Sequence, residues 1–170
     1  MGGRIWVESE LGKGSSFFVS MPVYSLYKIV SAPILNCKEI PDAVAVVATK
    51  IAAAEFGTLP AEFSRRVRDT LERCIFPNFD VLLPRIRSSG VQDLFLIFAV
   101  ANENGVRSLT RRIEDQLRLL PAIQRGKVPF SVHYEMLEFE ALQKPRSKEG
   151  LAQWAAEEVG QLLIRSYVHE

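Results

Sequence analysis

Few residues of this chain are of types that do chemistry, and their spacing decides what each can do. Its imidazoles are His133 and His169, and its thiols are Cys37 and Cys74. Two histidines, one of them penultimate, are too few for a multi-histidine metal site. His133 falls on the polar side of an alternating run, and no motif places a serine or cysteine nucleophile beside it. It reads as a surface histidine. Arg65, Arg66, Arg68 and Arg73 form the densest cationic run, the kind that binds phosphate. Asp69 and Glu72 are interleaved with them, so a solvated helix face is the stronger reading. Cys74 falls on the apolar side of the same helix, as a small core residue does.

The elements that must hold these residues follow from hydrophobic period. The 170 residues are 48% hydrophobic and 24% charged, which is ordinary for a globular domain. Lys+Arg number 21 and Asp+Glu 20, so the net charge of +1 gives no bulk attraction for nucleic acid. No run approaches the roughly 20 apolar residues of a membrane span, and no basic-then-apolar leader opens the chain. With two cysteines, a reduced cytoplasmic setting is expected.

Ile5 and Val7, then Phe17, Val19 and Met21, alternate with polar residues around a glycine-containing turn at 10–15. This predicts a β-hairpin, which is marginal in water alone and needs a partner surface. Residues 24–40, interrupted by Pro33, read as a linker or irregular strand. Ala43 to Thr49 reads as a buried strand with a helical continuation through Ile51 to Phe56. Leu59 to Phe76 is predicted as a helix with Phe63, Val67, Leu71, Cys74 and Ile75 inward. Phe79 to Ile86 and Asp93 to Ala101 read as two apolar strands of a hairpin, the second central. Pro84 marks a free edge or bulge on the first. A second helix, Asn102 to Leu120, carries the stripe Val106, Leu109, Ile113, Leu117 and Leu120. Gln124 to Pro129 is a loop, Phe130 to Phe139 a strand with one wet face, and Ser147 to Tyr167 a last helix. The expected fold class is α/β, an α+β sandwich. It has a mostly antiparallel central sheet, helices on its faces and an extra N-terminal hairpin.

Two family resemblances attach to these segments. Gly2-Gly3-Arg4-Ile5-Trp6-Val7-Glu8-Ser9 followed by Gly12-Lys13-Gly14-Ser15-Ser16-Phe17 resembles the C-terminal end of the ATP-binding domain of bacterial sensor histidine kinases. The resemblance implies that Gly12, Lys13, Gly14 and Ser15 are a nucleotide-binding remnant, where small residues let backbone amides approach phosphate. The family's asparagine and aspartate boxes, lid and phospho-accepting histidine are absent from the sequence. Neither ATP binding nor kinase activity is expected.

From Ala43 to Phe139 the chain resembles the GGDEF family, the diguanylate cyclases. The resemblance rests on Asp80 to Ile86, on Asp93-Leu94-Phe95-Leu96-Ile97-Phe98 and on the helix Gly105 to Leu117, which contains Arg111-Arg112-Ile113. It places the signature turn at Val91-Gln92-Asp93-Leu94-Phe95. Val91 and Gln92 stand where glycines would meet GTP, and Leu94 stands at the catalytic acid. Ala48-Thr49-Lys50 replace the first-strand acids, so a two-metal site has no carboxylates. The product-inhibition motif appears as Pro77-Asn78-Phe79-Asp80 without its arginine, which removes its support for cyclic dinucleotide binding there.

The sequence therefore divides into a terminal kinase hairpin (1–23), a linker (24–40) and a degenerate GGDEF-like domain (41–170). The chain is expected to be a non-catalytic regulatory or interaction domain of a two-component histidine kinase. No catalytic residue, metal or cofactor is expected. Its partner would be a protein or a second copy, with no nucleic acid and no membrane contact. One alternative is a nucleotide or cyclic-dinucleotide sensor using Asp93, Arg85 and Arg87. Another takes Met1 as an internal methionine of a misassigned histidine kinase reading frame.

Overall fold

The computed structural model describes residues 4–10, 14–20, 25–53, 59–84, 86–88, 92–138 and 145–168. In chain order the elements are β1 (Arg4–Glu10), β2 (Gly14–Ser20), α1 (Leu26–Asn36), β3 (Val44–Ala52), α2 (Ala61–Cys74) and β4 (Asp80–Leu82). Then follow β5 (Ile86–Ser88), β6 (Gln92–Ala99), α3 (Glu103–Arg118), the single turn α4 (Pro121–Gln124), β7 (Phe130–Leu137) and α5 (Lys148–Val168).

β1 and β2 pair antiparallel, with Val7 opposite Phe17, as the alternation of apolar residues predicts. Gly14 opens β2 at φ +99°, a backbone region that side chains disfavour. The larger sheet runs β4–β6–β3–β7, all antiparallel, with β5 continuing the β4 edge alongside β6. β3-α2-β4 and β6-α3-β7 are thus two interleaved units, each crossing over a strand of the other. Pro84 lies between β4 and β5, where a missing amide donor breaks the edge strand.

Alternation along β3 and β6 sends side chains to two cores. Ala45, Val47, Ile51, Phe95, Ile97 and Ala99 face α2 and α3, which bring Val67, Leu71, Cys74, Val106, Leu109, Ile113 and Leu117. Val44, Val46, Leu94, Leu96 and Phe98 face α1 and α5, which bring Val30, Ile34, Leu151, Ala155 and Val159. Both faces of the sheet are covered, which is why β6 reads as a continuous apolar run.

The helix ends follow local chemistry. Asn102 caps α3 by accepting the amide of Gly105 at 3.0 Å, and Ser147 Oγ accepts from Gly150 N at 3.0 Å ahead of α5. α2 starts one residue after Pro60, which stands at the N-cap.

Two sequence expectations are corrected here. Residues 24–40 are not simply linker or irregular strand: Leu26–Asn36 is helical, with Pro33 inside it. Leu26, Val30 and Ile34 recur every four residues and pack on α5, and that burial outweighs the hydrogen bond that proline removes. Lys148 Nζ donates to the carbonyl of Cys37, joining the end of α1 to the start of α5. Ile51 and Ala52 extend β3 and do not begin a helix, because both stay in register with Asp93 and Gln92 of β6. Residues 54–56, the end of that expected helix, lie outside the described residues.

Candidate functional site

The signature-turn positions are built mostly into the cores. Leu94 is 7% exposed and packs in the layer under α1 and α5. Phe95 is 1% exposed and faces the opposite core. Neighbouring strand residues point to opposite faces, so no single cleft holds both. Gln92 is exposed at the start of β6, and Val91 lies outside the described residues. Asp93 is 3% exposed, and its carboxylate accepts a hydrogen bond from the hydroxyl of Ser64 on α2. That carboxylate is a tie between helix and sheet, which corrects its expected availability to a nucleotide. Arg87 lies opposite Asp93 in the β5–β6 register, and Arg85 lies outside the described residues.

Of the kinase-like glycine stretch, Gly12 and Lys13 lie outside the described residues. Gly14 and Ser15 begin β2, opposite Glu10 and Ser9. Thr49, at the position of the first-strand acids, is fully buried, and its Oγ1 has no hydrogen-bond partner. Among the described residues, no three of His, Cys, Asp and Glu cluster closely enough to hold a metal ion.

A different set of residues converges at the junction of α2, β4 and α3. Pro77 follows the end of α2, and the chain turns back at Phe76–Asp80, with Phe79 N and Asp80 N both donating to Phe76 O at 2.9 and 2.8 Å. The Asp80 carboxylate closes the turn by accepting from Phe76 N at 2.8 Å. Burial pushes the Asp80 carboxyl above its usual range; the Phe76 amide and the positive charge of Arg112 oppose that shift without cancelling it.

Closing this turn leaves Phe76 59% and Phe79 48% exposed. Over the Phe76 ring stands the guanidinium of Arg112, 4.6 Å from its centroid. Arg112 Nε is buried and has no hydrogen-bond partner. Asp80 stands at the aspartate of the resembled product-inhibition motif, with Pro77 at the position of its arginine. Arg112 supplies a positive charge near it from α3, more than thirty residues further along the chain. Its place between the stripe residues Leu109 and Ile113 is the signal that could have singled it out, because an arginine at the margin of a buried stripe is held by its neighbours.

Neither thiol is poised as a thiolate. Burial pushes both thiols up, against the opposing charges of Lys148 at Cys37 and of Arg112 and Arg73 at Cys74. Cys74 is 2% exposed in the core, as its helical position implies. His133 is exposed on β7. No helix among the described residues is long and apolar enough to cross a membrane.

No family model matches the chain, and no curated protein matches it. Several solved structures bear some likeness. PelD 158-CT from Pseudomonas aeruginosa PAO1 is 14% identical over 60% of this chain and 34% of its own, with a TM-score of 0.38. The same protein in complex with c-di-GMP is 13% identical over 82% of this chain and 46% of its own, at 0.41. The de novo designed protein Foldit4 is 12% identical over 58% of this chain and all of its own, at 0.38. The chain thus spans less than half the length of those PelD structures.

Proposed function

We propose that this chain is a non-catalytic GGDEF-like regulatory domain that senses a guanine-containing cyclic dinucleotide at the Arg112–Phe76 surface. The observation that carries the reading is the guanidinium of Arg112 stacked on an exposed ring while its buried Nε lacks a partner. A planar guanidinium recognises phosphate and the O6/N7 edge of guanine in the same two-pronged way. An exposed aromatic face next to it stacks a base. Asp80 positions the ring by holding the Phe76–Asp80 turn.

The non-catalytic part of the reading is supported by Leu94, an apolar core residue where the resembling family has its acid. The sensing role replaces the site expected at Asp93, Arg85 and Arg87, since Asp93 is engaged with Ser64. Parentage in a two-component histidine kinase rests on the glycine-containing N-terminal string alone.

Isothermal titration of the full chain with cyclic di-GMP, with GTP as comparison, tests the proposal. Binding of the cyclic dinucleotide that is lost in Arg112→Ala is the expected result. No binding by the wild type, or undiminished binding by Arg112→Ala, overturns it.

A further inference from the structure

The two edges of the larger sheet are built in opposite ways. On one edge β4 and β5 are three residues each and Pro84 stands between them. Short strands and a proline blunt an edge against pairing with another chain. On the other edge β7 runs for eight residues and pairs with β3 along its whole length. Among the described residues no strand pairs with its outer side. Its sequence, Phe-Ser-Val-His-Tyr-Glu-Met-Leu, has neither proline nor lysine. Of the usual devices that discourage strand addition, it keeps a single charged side chain, Glu135.

We propose that β7 pairs antiparallel with β7 of a second copy, about a two-fold axis through Tyr134, so that two sheets become one. Opposed residues of an antiparallel pair share a face, so only registers centred on a residue match the faces. Centred on Tyr134, the register sets His133 of each copy opposite Glu135 of the other, and it does so twice. Both residues are exposed on the side of β7 away from α3. On the α3 side the same register sets Val132 opposite Met136, both apolar. Centring on His133 opposes the two imidazoles and leaves Glu135 facing Ser131, so that neither ring meets a carboxylate. The tyrosine at the axis is held in place, since its hydroxyl accepts from Arg107 Nε at 3.1 Å and lies 3.4 Å from Glu103 Oε1. A second copy is the occupant that this pattern fits, because one strand supplies both members of each complementary pair.

Sedimentation equilibrium of the full chain tests the proposal, with circular dichroism checking that each variant is folded. The wild type is expected to dimerise. His133→Glu sets two carboxylates face to face in both halves of the interface and loosens the dimer by about tenfold or more. The charge-swapped double variant H133E/E135K restores it. A wild type that stays monomeric overturns the proposal. So does a dimer indifferent to His133→Glu, which would lie elsewhere, for example on β1–β2. Failure of the double variant to regain what the single one loses also overturns it.

Discussion

The hydroxyl of Ser64, on the first full turn of α2, donates to the carboxylate of Asp93 at the start of β6. Both residues are almost entirely buried, at 2% and 3% exposure. The last acid left from the signature turn therefore fastens a helix to the sheet. Removing one partner of a buried pair leaves the other short of a hydrogen bond it gave up water to make.

Ser64→Ala should lower unfolding free energy by about 1–3 kcal/mol. Asp93→Ala should cost at least as much, because it removes the same bond and empties the space beneath α2. In the double variant the two losses should fall well short of additive. Urea denaturation of the four proteins measures this. Additive losses would mean that the two side chains act independently, and the tie would be refuted.

Asp80 gives a pH dependence of definite sign. Its folded-state carboxyl is raised above 3.8, mainly by burial. The folded chain therefore holds this proton more tightly than the unfolded chain does. The associated stability is fully present below 3.8 and is lost as pH rises through the raised value. Asp80→Asn keeps an acceptor for Phe76 N and does not titrate. Relative to the wild type it should be more stable at neutral pH than it is below the carboxylate range. Denaturation curves for both proteins at the two conditions settle it, and a difference that stays constant with pH refutes the assignment.

The Arg112–Phe76 surface predicts a graded series. Arg112→Lys keeps the charge but not the planar fork, and it should weaken cyclic dinucleotide binding less than Arg112→Ala does. Phe76→Ala should weaken binding by about 1–3 kcal/mol if the ring stacks a base. Gln92→Ala, at the signature turn, should leave binding unchanged. Titration calorimetry on each variant gives the order, and a variant at Gln92 more damaging than one at Phe76 would return the site to the turn.

What was legible in the sequence is what a single period carries. The stripe Val106, Leu109, Ile113 and Leu117 is buried in α3 as its spacing implies, and the interruption at Pro84 falls where the edge strand breaks. The readings that failed were those in which tertiary packing overrides local preference. Pro33 looked like a break, yet Leu26, Val30 and Ile34 bury against α5 and the helix continues past it. Thr49-Lys50-Ile51 looked like a strand end, but pairing with β7 carries it to Ile51 and pairing with β6 to Ala52. Arg112 and Phe76 are far apart in the chain and meet only because α3 packs on α2 beside the α2–β4 turn. Asp93 shows the converse limit: its identity was plain, but its burial and its bond to Ser64 depend on which face of β6 the register selects.

Leu94 offers the sharpest separation between a lost active site and a repurposed one. If the chain were a cyclase that had merely drifted at one position, restoring an acid at 94 would return a metal-binding group to a preserved cleft. Leu94 is instead 7% exposed, beside Leu96 and opposite Lys50, at the end of the apolar layer that α1 and α5 close. A carboxylate there would give up most of its water, and Lys50, opposite it on β3, would offset only part of that cost. Leu94→Glu should cost about 3 kcal/mol or more and should recover no synthesis of cyclic di-GMP. Gln92→Glu, two residues away and exposed, should change stability by about 0.5 kcal/mol or less. Urea denaturation, together with incubation in GTP and Mg²⁺, distinguishes the cases. A Leu94→Glu chain that stays as stable as the wild type would mean that this face of β6 opens to water and that the cleft survives.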